Sequence, residues 1–229
     1  MNTQLVSKCR ILIVMIAAIV LSGCVTNSVY KSGSALSIPL ASKILVFPAD
    51  VIVAESKALS ATEPLADESK EVAVVLNNAI MAFMFDRGVE YVPYGASVTK
   101  DEHISLVRQA EVIVDAAQSK SSSSAKFYAL SKDSLSSVSQ FDADYVLLSD
   151  YSLTKPSSGA IAVSLLVGVA NQTALEGYNL ALFDLRDGQL VWSHGQPMIA
   201  IGMLASGLEG ASDERAAEIV SEMMMEFPL

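Results

Sequence analysis

The chain predicts an α/β (α+β) fold, a mixed and mostly antiparallel sheet of about five strands covered by helices. Three observations predict it. Short apolar, β-branched runs alternate with longer runs of helical period, in the order β-α-β-α-α-β-β-β-α. Asp187-Gly188, set between two alternating runs, reads as a hairpin turn. Finally, 52% of the 229 residues are hydrophobic, enough for a sheet and its helices to bury a shared core.

The N-terminus precedes that fold and has its own logic. Residues 1–10 are polar and carry Lys8 and Arg10, residues 11–20 are unbroken apolar, and Leu21-Ser22-Gly23-Cys24 follows. A positive segment, a short apolar segment and small residues before a cleavage point make a secretion signal over residues 1–23. The apolar run falls well short of the ~20 residues a membrane-spanning helix needs. Leu21-Ser22-Gly23-Cys24 resembles the lipobox of bacterial lipoproteins. The resemblance implies cleavage between Gly23 and Cys24, with diacylglycerol on the Cys24 sulfur and an N-acyl chain on its amine. Two or three acyl chains, at ~0.8 kcal/mol per buried CH₂, hold a protein on a membrane where one chain binds only marginally. In such lipoproteins an Asp after the Cys retains the protein at the inner membrane. This chain has Val25 there, which implies the outer membrane, facing the periplasm. Residues 24–42, rich in Ser, Thr, Asn and Gly, read as a lipidated flexible tether, and 43–229 as one periplasmic domain.

Within the domain, residues 43–53 form the first strand, with Pro48 at an edge or an end. Residues 55–66 read as a loop. Asp67 or Ser69 can cap a helix to about residue 86, with Val72, Val75, Leu76, Ala79, Ile80, Phe83 and Met84 on one face and Gly88 as its stop. Residues 89–94 are a short strand. A second helix starts at Thr99 or Asp101 and runs to about 117. Ser119–Ser124 is a low-complexity loop, and a third helix is expected over 125–139. Residues 143–151, 177–185 and 189–194 are strands, the last two joined by a type I′ turn at Asp187-Gly188. A final helix spans 212 to about 226, with Asp213 and Glu214 suited to its N-terminal dipole.

Charge and residue usage narrow the function classes. The net charge is −10, and removing residues 1–23 leaves 13 basic side chains against 25 acidic, or −12 over 206 residues. A nucleic-acid binder needs the opposite balance to displace counterions from phosphates. Cys9 leaves with the signal and Cys24 is acylated, so the mature domain has no disulfide, catalytic thiol or thiolate metal site. His103 and His194 are isolated and lack metal-ligand spacing, so neither metal nor cofactor is expected. No Gly-x-Ser-x-Gly elbow or glycine-rich phosphate loop occurs. Asp142 and Asp144 are a carboxylate pair best read as a solvated cap or turn.

Four segments carry a further resemblance: Ile44-Leu45-Val46-Phe47-Pro48, Asp86-Arg87-Gly88-Val89-Glu90, Ala143-Asp144-Tyr145-Val146-Leu147, and the run from Leu182 to Trp192. In that spacing they are similar to envelope lipoproteins built on the domain of the curli secretion channel (CsgG-like). Outer-membrane activators of penicillin-binding proteins and the N-terminal domain of TolB share that domain. The first strand departs from the pattern, with Phe-Pro-Ala where Pro-Phe is common. The resemblance covers about residues 43–226 and implies protein binding or assembly into channels, with no catalytic residues.

Two uncharged inserts complete the reading. Residues 159–170 lie between the third and fourth strands, and residues 198–208 follow the fifth. If the last three strands are antiparallel, both inserts emerge at one end of the sheet. Contiguous exposed apolar surface marks an interaction site, and Ile161, Leu165, Ile201 and Leu204 are its expected members. Burial of both inserts as ordinary core is the competing reading, and contact with neighbouring subunits or with the membrane are the two forms an exposed surface would take.

The expectation is therefore a non-enzymatic, membrane-anchored binding or assembly module that contacts other envelope proteins or itself. Two alternatives stand beside it. Large residues at 161, 163, 165, 167 and 169 suit a lipid-facing strand, as in an oligomeric secretion-channel component. A carboxylate-based glycan hydrolase would need two acids about 5–9 Å apart in a cleft.

Overall fold

The computed structural model describes residues 28–31, 37–39, 41–57, 62–94, 100–118, 128–166, 174–201, 208 and 210–229. The fold is a mixed α/β arrangement with an eight-stranded sheet and five helices among these residues. The strands are β1 (Ser28–Lys31), β2 (Lys43–Val46), β3 (Asp50–Ser56), β4 (Glu63–Pro64), β5 (Glu90–Pro93), β6 (Tyr145–Pro156), β7 (Ala174–Asp184) and β8 (Leu190–Ile201). The helices are α1 (Ala66–Asp86), α2 (Lys100–Gln118), α3 (Lys132–Val138), α4 (Ser158–Leu166) and α5 (Asp213–Met223).

The long strand β6 organises the sheet. One edge pairs antiparallel with β7, which pairs antiparallel with β8, which pairs antiparallel with β1. The other edge is shared by two parallel partners in succession, β2 against residues 145–147 and β3 against residues 150–156. β5 lies outside β2 and β4 outside β3.

Side chains alternate across the pleat, so each strand feeds two cores. On one face Ile44, Val46, Tyr145, Leu147, Leu180, Leu182 and Trp192 pack against Val72, Leu76 and Ile80 of α1 and Ala216, Val220 and Met223 of α5. On the other, Leu45, Phe47, Val146, Leu148, Ala181 and Phe183 pack against Leu106, Ala110, Ile113 and Val114 of α2 and Val138 of α3. The sheet is thus the middle of three layers.

Several expectations are corrected. The sheet has eight strands among the described residues rather than about five. The expected first strand divides at Pro48, which has no N–H to give the ladder. The Ala49 N–H turns instead to the Asn77 side chain of α1 at 3.0 Å. The expected loop 55–66 contains β4. The segment read as a tether supplies β1, and the buried Ile38 donates its N–H to the Pro228 carbonyl at 2.8 Å. The domain therefore begins before residue 43. α1 starts without a side-chain cap, because Ser69 lies inside it and bonds the Leu65 carbonyl and the Val53 N–H. The third helix begins at Lys132, capped by Ser131, not at 125. Tyr128–Leu130 is extended and bonds the hairpin, with Leu190 donating to Tyr128 and Leu130 to Gly188.

The β7–β8 hairpin forms as expected, but its turn is not type I′. Only Gly188 (φ 74°) is left-handed, and Asp187 is not. The Gly188 N–H reaches the Asp184 carbonyl at 2.8 Å, a longer loop closed by one left-handed glycine. Gly88 (φ 69°) ends α1 as expected. Ser212 caps α5 by accepting from the Arg215 N–H at 3.3 Å. Gly23, Cys24 and residues 119–124 lie outside the described residues.

Candidate functional site

Three places in the fold bring chemistry or exposed apolar surface together. The first is the end of the sheet where the inserts were expected. The register pairs Ala174 at the start of β7 with Ile201 at the end of β8, and Thr154 near the end of β6 with Leu175. α4 follows β6 directly. Ile161 is a half-buried residue of α4 and Leu165 belongs to the same helix. Ile201 is the last residue of β8, and Leu204 lies outside the described residues. The lipid-facing strand expected over 161–169 is overturned for residues up to 166, which are helical. Ser157 explains the helix start: its Oγ accepts from the Ala160 N–H at 3.1 Å, and its carbonyl from the Ile161 N–H. At this end Met198 is 45% exposed and lies over Gly177, within 3.0 Å of where a Cβ would stand.

The second place lies under α2. Asp150 on β6 stands opposite Asn179 on β7 and beside Asp50 on β3. Burial pushes its carboxyl up to about 7; the Asn179 amide works against the shift, and the neighbouring Glu111, Asp50 and Asp115 carboxylates add to it. Burial likewise raises Glu111, joined by Asp50 and Asp115 and opposed by Arg108. The cavity lined by Val107, Glu111, Val114, Asp150 and Asn179 has a volume of about 10 Å³, room for one water. Sequence reading passed over Asp150, although one carboxylate inside an apolar run was its available signal. Asp142 and Asp144 act as structural partners: Asp144 accepts from the Lys43 N–H at 3.0 Å and Asp142 from its ammonium.

Of the histidines, His194 stands apart from this cluster, while His103 lies within electrostatic range of Asp50. The ring of His103 packs 4.8 Å from that of Phe47. His194 is fully buried, its Nδ1 donating to the Met223 carbonyl at 2.7 Å while its Nε2 has no hydrogen-bond partner. Burial lowers both His pKa values. Among the described residues no group of three or more His, Cys, Asp or Glu could hold a metal ion.

The third place is the outer face of α1. Residues 72–85 contain no charged side chain. A helix apolar all round is ordinarily enclosed on all sides. Here Val72, Leu76, Ala79, Ile80 and Met84 fill the core, while Val74, Asn78, Ala82 and Phe85 form an outward stripe. Val74 is 59% exposed and Phe85 73%. Beside the stripe a groove of about 200 Å³ runs between α1 and α5, lined by Ala82, Phe83, Asp86, Arg87, Ala217 and Ser221. The Arg87 guanidinium sits 4.8 Å over the Phe83 ring and holds one wall. Sequence reading placed Phe83 correctly on the core side but did not register that Val74 and Phe85 fall opposite it.

No described helix is long and apolar enough to cross a membrane. No family model and no curated protein matches the chain. Among solved structures it is similar to two PelC dodecamers from Paraburkholderia phytofirmans. A point variant in space group C2 shares 16% identity, and a form in space group P6 shares 14%. Each comparison covers 86% of this chain and 98% of the other, with a TM-score of 0.37. At that score the likeness carries no argument.

Proposed function

We propose that this protein is a lipid-anchored envelope lipoprotein, attached to the outer membrane through Cys24 and facing the periplasm. Its domain acts as a non-enzymatic binding or assembly module. The observation that carries the binding role is the outward stripe of α1. Exposing Val74 and Phe85 on one outward stripe, with a groove beside the Phe85 end, costs free energy in water that a protein partner recovers on contact. Aromatic anchors next to apolar pockets are the usual centres of such interfaces. The signal and Leu21-Ser22-Gly23-Cys24 support the anchor, and the resemblance to CsgG-like lipoproteins supports assembly with other envelope proteins or with itself.

The test is photocrosslinking in cells with p-benzoylphenylalanine in place of Phe85. The expected result is one discrete adduct, suppressed by Val74→Asp, whose mass separates self-association from a different partner. Free protein alone, with the variant folded and at its normal level, overturns the reading.

A further inference from the structure

The charge around the outer face of α1 identifies the kind of partner that face takes. α1 and α5 together hold eight carboxylates against two cations, Lys70 and Arg215. α2 and α3, on the opposite face of the sheet, hold five against three. Both cations of the α1–α5 layer are already engaged, Lys70 by Asp67 at 3.2 Å and Arg215 by Glu218 at 2.6 Å. Glu71, Asp86 and Glu214 are exposed and have no ion-pair partner among the described residues.

These three acids border the apolar surface without interrupting it. Glu71 lies one turn before Val74, so Glu71, Val74, Asn78, Ala82 and Phe85 follow one another along the outward stripe. Asp86 lines the groove between α1 and α5. Glu214 precedes Ala217 and Ser221 at helical spacing and continues the row of α5 that lines the same groove. Arg87 also lines it, stacked over the Phe83 ring at the C-terminal end of α1.

The surface is shaped for a helix. Ala79, Ala82, Ala217 and Ser221 are small, so a third helix can approach both α1 and α5 closely. Val74 and Phe85 stand ~16 Å apart along the axis, which matches three turns of an apposed helix. A second copy of this chain would set one acidic rim against another. Lys or Arg beside the apolar face of a docked helix would instead meet Glu71, Asp86 and Glu214.

We propose that the occupant of this surface is an amphipathic helix of a different protein, apolar where it covers Phe85 and the groove and rich in Lys or Arg on its flanks. This rests on the binding role assigned above to the α1 stripe.

Photocrosslinking from p-benzoylphenylalanine in place of the exposed Asn78 tests it, on protein expressed from the full chain and held in phosphatidylcholine nanodiscs. The probe is a labelled peptide of about five helical turns, with Leu on one face and Lys on the other. A second peptide carries Glu at every Lys, and a third has the composition of the first in scrambled order. Only the first is expected to form an adduct, and salt should weaken it. Glu71→Gln, Asp86→Asn and Glu214→Gln together should raise its half-saturating concentration about tenfold. Asp101→Asn, Asp115→Asn and Asp133→Asn, which remove the same charge from α2 and α3, should leave it unchanged. All six sites are exposed, and melting curves verify that both variants fold. Equal adducts with the three peptides, no adduct with the first, or equal losses in the two variants overturns the cationic helix. In cells, an adduct from position 85 that survives the groove variant, or that has twice the mass of this protein, overturns it and leaves the binding role standing. No adduct from position 85 overturns both.

Discussion

Asp150 on β6 and Asn179 on β7 face each other across the ladder, and the Asn179 amide donates to the Asp150 carboxylate at 3.3 Å. One neutral donor does not offset burial beneath α2 among Asp50, Glu111 and Asp115, so the carboxyl titrates near 7 instead of 3.8. The folded state therefore holds a proton that the unfolded chain releases. The stability this contributes is fully present below about pH 4 and is lost as pH rises through 7. A shift of about three units corresponds to ~4 kcal/mol at most. Asp150→Asn, permanently neutral and of the same shape, should melt well above the wild type at pH 8, with the gap closing toward pH 4. Thermal melts at four or five pH values check this; a gap independent of pH would show that Asp150 is ionised in the fold throughout.

Gly188 and Gly88 are both left-handed but differ in surroundings. A Cβ on Gly88 meets nothing within 4 Å, whereas one on Gly188 stands 2.9 Å from Leu135 Cδ1 and 3.1 Å from the Leu130 carbonyl. Gly88→Ala should therefore cost only the backbone term, ~1–2 kcal/mol. Gly188→Ala should cost more, because α3 and the Tyr128–Leu130 segment must shift as well. Urea denaturation of the two variants measures the difference, and equal losses would mean that α3 yields freely.

These two glycines also show what was legible in the sequence. Gly88 and Asp187-Gly188 end local runs, and local signals located α1, the hairpin and α5 well. Three features were hidden because they depend on distant partners. Ser28–Lys31 has no pattern of its own and is a strand only because β8 offers it an edge. Tyr128–Leu130 lies just before α3 yet is drawn out by Gly188 and Leu190. Asp150 became a titrating group only when packing under α2 buried it, with Glu111 and the parallel-paired Asp50 adding to the shift. The outward stripe of α1 was present in the sequence as a run without charge over 72–85, but which side faced solvent depended on how α5 packed beside it.

The proposed anchor makes a separate prediction. Only a sulfur at position 24 can accept the diacylglyceryl group in the lipoprotein pathway, and processing follows its addition. Cys24→Ala should leave a precursor heavier by the 23-residue signal and free of label from a palmitate analogue. Label retained by Cys24→Ala would assign acylation elsewhere and remove the anchor.

The break at Pro48 depends on one side chain. β2 and β3 pair with the same edge of β6, and between them the ladder cannot satisfy the Ala49 N–H. Asn77 Oδ1, projecting from the middle of α1, accepts it at 3.0 Å. This bond joins helix to sheet where the strand changes course, and Ala49 itself is buried. Asn77→Leu gains helix propensity and adds apolar surface, yet it leaves a buried N–H unpaired at a cost of ~1–3 kcal/mol. Asn77→Asp keeps an acceptor in the same position and should retain most of the stability. The neighbouring Asn78 is exposed and projects into the outer stripe, so Asn78→Ala should be neutral or slightly stabilising. Denaturation of the three variants separates the bond from helix propensity. The order Asn78→Ala above Asn77→Asp above Asn77→Leu is expected, and Asn77→Leu as stable as the wild type would show that the Ala49 N–H finds its partner elsewhere.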